Sequence, residues 1–520
     1  MSDQETQNAP AAAEEQTEEQ TNKKLLNEIV ANLVPKSPSP VQRTYATDLV
    51  RAFIAEVEKN EMTPGAAKDS ASTIDMLQAR IDKIDGMIAA QLDEILHSEE
   101  FQKLEASWRG LHYLVMNTET STRLKLRLLP ISPKELKKDL GPVAVVDFND
   151  QTQLFKKVYE EEYGTYGGHP FSLLVGDYEF GRSPEDMDLL TNISRVAATA
   201  HAPFLAAASP ELFDMKSFTE LGKPRDLAKL FESTELKEWG AFQQTEDSRY
   251  ATLVLPHILL RLPYGPKTEP VDGFKYEENT KAEADDKTAV RDSNGRDHKK
   301  YLWGNAAYAL AQRITNAFAL YGWCAAIRGV EGGGMVRNLP THNFENDEKL
   351  KVAKCPTEVA ITDRREKELD TLGFVSLCHC KGETFAVFFG GQTTQKPKKW
   401  DTDAANANSR ISARLPYILA ASRFAHYLKV ICRDKIGSFQ TKETLADYLN
   451  RWISGYILGT DNAGQEVKAQ YPLREARIDV APIPGSPGAF KAVAFLRPHF
   501  QLEELTTSVR LVAELPPPAA

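Results

Sequence analysis

The chain has 520 residues, 42% hydrophobic and 26% charged, ordinary globular values that predict buried cores spread over about three domains. With 63 Lys and Arg against 73 Asp and Glu, the net charge is −10, which argues against a nucleic-acid partner: the short cluster Lys396-Pro397-Lys398-Lys399 builds no basic stripe. The longest near-apolar run, Ala319 to Ile327, is about half of what a bilayer span needs, no secretory leader is expected, and five cysteines predict no disulfide scaffold, so the expectation is a reducing cytoplasm without membrane insertion.

Residues 1–22 hold six acidic side chains, no basic ones and almost no large apolar ones, a composition that cannot offset its ordering entropy and predicts a disordered tail. From Lys24 to Val34, the residues Leu25, Leu26, Ile29, Val30, Leu33 and Val34 fall on one helical stripe, which Pro35, Pro38 and Pro40 end. A helix this short is marginal alone in water. Its apolar face either packs on its own body or docks in another protein's groove. A helix is expected over 42–58 and a longer one over 73–96, where Ile74, Leu77, Ile81, Ile84, Ile88, Leu92 and Ile95 recur at threes and fours and Ser72 with Asp75 forms a capping pair. Leu104, Trp108, Leu111 and Val115 continue the pattern, so residues 42–120 read as a helical domain.

The period then changes. Leu124, Leu126 and Leu128 alternate with Arg123, Lys125 and Arg127, as in a strand with one polar face. Phe171 to Val175, a helix over Asp186 to Ala200, and Phe204 to Ala208 make a βαβ unit and predict a mixed α/β (α+β) body over 121–489. Residues 266–299, charged and turn-rich, read as a surface insertion. Helices are expected over 302–327, 416–432 and 445–457, and a hairpin over Gly373–Phe389 turning at Lys381-Gly382. In the last segment, 490–520, Ala492 to Leu496 is an apolar run. Beyond it Val509, Leu511 and Ala513 alternate with Ser508, Arg510, Val512 and Glu514, a terminal strand stopped by Pro516. That strand either closes its own sheet or completes a neighbour's.

The search for chemistry is mostly empty. Gly329 to Gly334 lacks the Lys-Ser or Lys-Thr of a phosphate loop and follows a helix rather than a strand. Cys378-His379-Cys380 has no second pair to complete a zinc site, and buried cysteines account for it better. Glu246-Asp247 beside Ser248-Arg249 reads as an ion-pair cluster. No catalytic, cofactor-binding or metal-ligating residue is assigned, and no cofactor is expected. The aromatic and Arg-bearing stretches, which contain the residue types that anchor packed interfaces, tilt the reading toward an assembly protein.

Those stretches carry a resemblance. They are Phe101-Gln102-Lys103-Leu104-Glu105 running into Trp108-Arg109-Gly110-Leu111, Glu246-Asp247-Ser248-Arg249-Tyr250, Leu255-Pro256 to Arg261-Leu262-Pro263-Tyr264-Gly265, and Leu302-Trp303-Gly304-Asn305-Ala306-Ala307. They continue through Ala317-Phe318, Trp323-Cys324 and Arg328-Gly329-Val330-Glu331-Gly332-Gly333 to Arg497-Pro498, Leu502 and Leu511-Val512. In order and spacing, from about residue 24 to 515, the chain resembles the large subunit of the type VI secretion contractile sheath, the TssC or VipB family.

The resemblance implies a non-enzymatic large sheath protomer. It would pair with a small sheath subunit and stack with neighbouring protomers as a helical tube around an inner Hcp tube, on an envelope-anchored baseplate in the bacterial cytoplasm. Contraction would expel the inner tube. It further implies that the helix within 23–41, through Leu25, Leu26, Ile29 and Val30, is the handle for the AAA+ unfoldase ClpV, and that Ser508, Val509, Arg510, Leu511, Val512, Ala513 and Glu514 form an exchanged inter-subunit strand. The 42–120 lobe would be partly an outer domain and partly the surface that docks the small subunit. A phage-type tail sheath protein and a soluble α/β enzyme with an unrecognised site are the alternatives.

Overall fold

The structure, a computed structural model, describes residues 39–61, 70–141, 152–224, 226–283, 289–292, 295–345, 349–438, 441–460, 462–484 and 489–502. Backbone contacts divide them into two units: residues up to Ile95 with Tyr264–Glu278, and Leu96–Pro263 with the remainder from Asn279.

The first unit is helical. Helix α1 (Pro40–Glu61) opens on a reciprocal cap, in which the Gln42 side chain accepts the Ser39 N–H at 2.9 Å and Ser39 Oγ accepts from the Gln42 N–H at 3.3 Å. Pro40 is at the first helical position, where its missing N–H costs nothing. Helix α2 (Ser70–Leu96) begins two residues before Ser72, so Ser72 is inside the helix and is not its cap as the sequence suggested. The Tyr276 hydroxyl donates to Asp93 of α2 at 2.7 Å, and Glu278 accepts the Tyr264 N–H at 2.9 Å.

The second unit opens with α3 (Glu99–Met116). The strand expected at 123–128 does not form. Ser121 Oγ accepts the Leu124 N–H, Arg127 pairs with Glu162, and Leu128 is 64% exposed. Alternation alone makes no strand when no neighbour supplies a ladder.

Strand β1 (Leu174–Phe180) starts three residues later than the apolar run suggested and contains Asp177, which accepts hydrogen bonds from Ser107, Asn305 and Tyr308. Helix α4 (Pro184–Ala200), capped by Ser183, leads to β2 (Phe204–Ala208) and then β3 (Ala251–Leu255). Two short strands, β4 (Ile258–Leu259) and β5 (Trp303–Gly304), pair with each other. That pairing delays the next helix, α5, to Ala307–Tyr321, and Gly322 at φ 75° ends it before the expected Ile327. Strand β6 (Met335–Val336), the hairpin β7 (Asn343–Glu345) with β8 (Lys351–Ala353), helix α6 (Asp363–Leu372), β9 (Phe374–His379) and β10 (Ala386–Phe388) follow.

The main sheet is mixed, in the order β1-β2-β3-β9-β10-β6. The pairs from β1 to β9 are parallel and the last two antiparallel. Side chains alternate across it. Phe204, Leu253 and Phe374 join the core against α4, whereas Leu205, Val254, Val375 and Leu377 join the core against α5. A sheet covered on both faces needs continuous apolar strands, and β2 and β3 are buried throughout.

Helices α7 (Leu415–Asp434) and α8 (Lys442–Ser454) pack on the antiparallel ribbon β11 (Leu473–Pro482) and β12 (Phe490–Pro498) around Trp323, Phe424, Leu449, Ile453 and Ile478. Residues 266–299 are not uniformly solvated: Tyr276, Glu278, Thr280, Asp297 and His298 are buried.

Candidate functional site

Leu25, Leu26, Ile29 and Val30, and Ser508, Val509, Arg510, Leu511, Val512, Ala513 and Glu514, lie outside the described residues. The structure does describe the ribbon that leads to the second group. Its inner face, with Ala476, Ile478, Val480, Phe490, Ala494 and Leu496, covers the core. Its outer face pairs Glu475 with Arg497 at 3.1 Å and Arg477 with Asp479 at 3.0 Å, and Arg477 sits 5.0 Å over the Phe495 ring. The two edges differ. Asn450 of α8 caps β11, accepting the Ile478 N–H at 2.9 Å and donating to its carbonyl at 2.8 Å. Among the described residues no strand pairs with the other edge of β12. A two-stranded ribbon is marginal by itself, and an open edge is a template for another strand.

A second surface lies on α3. Its inner face is fixed: Gly110 leaves room for the Tyr308 ring, Leu114 enters the core, and Glu105 Oε1 accepts from Arg109 at 2.7 Å and from buried Arg261 at 2.8 Å. Its outer face exposes Phe101, Leu104, Trp108 and Val115, with Trp108 61% exposed. The spacing is that of one helical stripe.

The places where chemistry was sought are structural. In the glycine loop the Gly329 N–H donates to Phe388 O at 2.7 Å, Gly334 N–H to Gly329 O at 2.9 Å, and Arg328 N–H to Gly332 O at 3.2 Å. Those amides hold the loop against β10 and are not presented to an anion. Cys378 is buried and His379 Nε2 lies 2.7 Å from the Glu383 carbonyl, while among the described residues no group of three or more His, Cys, Asp or Glu could hold a metal ion. Glu246 pairs with Arg249 and Lys398, an ion-pair cluster.

One titratable cluster escaped the sequence reading. His257 Nδ1 is 2.5 Å from Glu358 Oε2, and His257 Nε2 is 3.0 Å from Glu179 Oε1. Glu358 also accepts from Ser217 Oγ at 2.8 Å and the Phe218 N–H at 3.3 Å. Burial alone would lower the His257 pKa, but the Glu179 charge and the hydrogen bonds to both carboxylates outweigh it and hold it at about 10. Burial opposes the Glu358 charge too, and the two imidazoles His257 and His298 nevertheless keep it below the usual carboxylate range. A general base must be able to take up a proton near the working pH, and His257, held protonated between two carboxylates, already carries it. The cluster ties the end of β1, the turn after β3 and the loops at 217 and 358. Its members are too far apart in sequence for spacing to reveal them. Among the described residues no helix is long and apolar enough to cross a membrane.

The chain matches two family descriptions: VipB, the EvpB/VC_A0108 tail sheath N-terminal domain, over residues 78–395, and the EvpB/VC_A0108 tail sheath gpW/gp25-like domain over 404–515. It is 48% identical over 448 residues to the type VI secretion system sheath protein TssC1 of Pseudomonas aeruginosa strain PAO1, covering 86% of this chain and 87% of that protein. Solved structures overlap it more loosely. They include the anti-feeding prophage baseplate (TM-score 0.38, 9% identity, 78% of this chain and 80% of that one) and the contracted sheath complex of an extracellular contractile injection system, PVC (TM-score 0.31, 9% identity, 62% and 68%). The two family matches cover most of the ordered architecture, the helix-and-ribbon unit coincides with the second of them, and the chain accordingly belongs to the VipB tail sheath family as the large subunit of a type VI secretion contractile sheath, a structural protein and not an enzyme.

Proposed function

We propose that this chain pairs with a small sheath subunit and that the pairs stack, in the bacterial cytoplasm, as a helical tube around an inner tube, standing on a baseplate and contracting to expel the inner tube. The observation that supports this most directly is the edge of β12 that no described strand pairs, because residues 508–514, read from the sequence as a strand, follow soon after it in the chain. An arm that leaves one protomer and lengthens a neighbour's ribbon joins subunits by main-chain hydrogen bonds. Contacts of this head-to-tail kind grow filaments when they do not close into rings. The energy of the stroke is then the difference between two packings of the same subunits.

The outer face of α3 is the docking surface for the small subunit in this reading. The helix of Lys24–Val34 is the handle by which an AAA+ unfoldase takes up contracted sheath for recycling. Replacing Leu26 and Ile29 together by Asp should abolish unfoldase binding to contracted sheath and leave tube assembly intact. Retained binding would remove the handle from the proposal.

Electron microscopy of the chain expressed alone and with its small partner tests the whole reading. Tubes are expected on co-expression and not from the chain alone. Tubes from this chain alone would assign it the self-sufficient behaviour of a phage-type sheath. Soluble monomers in both cases would overturn the assembly.

A further inference from the structure

Residues 499–502, which follow β12, are tied to the body of the protomer. His499 N–H donates to Pro472 O at 3.3 Å. The Tyr417 hydroxyl, in the first turn of α7, donates to His499 O and accepts from the Gln501 N–H, both at 3.2 Å. The Gln501 side-chain amide donates through Nε2 to Ala325 O at 2.9 Å, in the loop after α5. Its oxygen accepts from Arg328 Nη1 at 3.4 Å. Arg328 in turn donates through Nε to Phe389 O at 2.9 Å, at the end of β10 in the main sheet. One residue thus binds α7, the loop after α5 and, through Arg328, the sheet.

We propose that Gln501 is the anchor of the terminal arm, a positioning residue that passes a pull on the arm into the body of the protomer. The proposal rests on reading Ser508–Glu514 as an exchanged strand. Its mechanical logic is independent of that strand's partner. The arm continues from the free end of β12, at Pro498, which pairs with Leu473. A pull on that end without an anchor would unzip β12 from β11 one hydrogen bond at a time, the weakest way to load an antiparallel ribbon. An anchor placed just after the strand intercepts the load. It also fixes the direction in which the arm leaves, because both ends of the Gln501 amide are held.

The test uses the full chain co-expressed with the small subunit, comparing Gln501→Ala, Gln501→Glu and a chain ending at Leu502. Gln501→Ala should leave the melting temperature of the pair and tube formation unchanged. It should raise amide hydrogen exchange over residues 499–502 by roughly tenfold, as expected for losing side-chain hydrogen bonds. Its sheaths should break into short pieces on shearing or contraction. Gln501→Glu keeps the acceptor for Arg328 but loses the donor to Ala325 O, and should give sheaths of intermediate length. Wild-type exchange and intact sheared sheaths from Gln501→Ala would overturn the anchor. If the chain ending at Leu502 still forms tubes that survive shearing, the exchanged strand itself falls, and the anchor with it. If that truncation abolishes tubes while Gln501→Ala behaves as wild type, the strand stands and the anchor alone is wrong.

Discussion

His257 carries its proton far above the ordinary imidazole range because two carboxylates hold both of its nitrogens. Since the folded value of about 10 lies above the unfolded 6.5, the stabilisation is complete below pH 6.5 and is lost as the pH rises through about 10. His257→Gln leaves Glu358 buried without its cation, a loss of about 3–5 kcal/mol near neutrality. The melting temperature should fall at pH 7, and the gap to wild type should close above pH 10. A gap that stays constant with pH would assign the loss to packing. Glu366 has the opposite sense. Burial, and then the charge of Asp370, push its pKa up to about 7. Asp370 itself is held by Arg414, whose Nη1 donates to both its oxygens at 2.8 Å. Glu366 therefore favours the fold while neutral, and that contribution fades as the pH rises from 4.5 through about 7. Glu366→Gln should melt higher than wild type at pH 8 and equally at pH 4, where both side chains are neutral. A variant that melts lower at pH 8 would show that the carboxylate is held by attraction to Arg414 and Arg328.

At the scale of elements, α3 is clamped on one side by Glu105 with Arg109 and Arg261, and carries Trp108 on the other. Trp108→Asp removes no core contact, so the helix should stay folded while affinity for the small subunit drops by roughly thirtyfold, the cost of about 2 kcal/mol typical of an interface anchor. Pull-down or titration with the purified partner reads this, and unchanged affinity would move the docking surface elsewhere. The same helix shows what was legible in the sequence. Of the residues that suggested the helix, Leu104, Trp108 and Val115 face outward and Leu111 packs against the core, because exposed and buried stripes share one period. Strand β2 and the β9–β10 hairpin were read with near-correct bounds, since continuous apolar runs and a turn glycine (Gly382, φ 88°) are local signals. The segment at 124–128 misled because pairing is decided by a neighbour, and none of the described strands lies beside it. The His257 cluster was invisible for the same reason: residues 179, 257, 298 and 358 meet through topology, without a motif.

For the whole molecule, the issue is whether the terminal arm contributes to the fold or only to the lattice. The three apolar cores are built from residues between Leu111 and Leu496 among those described, and every strand of the main sheet ends by Phe388. The ribbon that precedes the arm draws its own support from α7 and α8, with Asn450 closing the edge of β11. Ending the chain at Leu502 therefore leaves every described residue of these cores in place. The truncated protein, paired with its small subunit, should melt within a few degrees of the intact pair, since about 1 kcal/mol moves the melting temperature of a large domain by only a few degrees. It should elute as the same heterodimer on gel filtration. What it should lose is polymerisation, because the open edge of each β12 would find no strand to accept. If the truncated pair instead unfolded early, the arm would be closing its own protomer's sheet, and the links between subunits would have to come from side-chain contacts such as those of the α3 face. The melting curve and the micrograph together separate the two arrangements: intact stability with lost tubes assigns the arm to its neighbours, and lost stability assigns it to its own body.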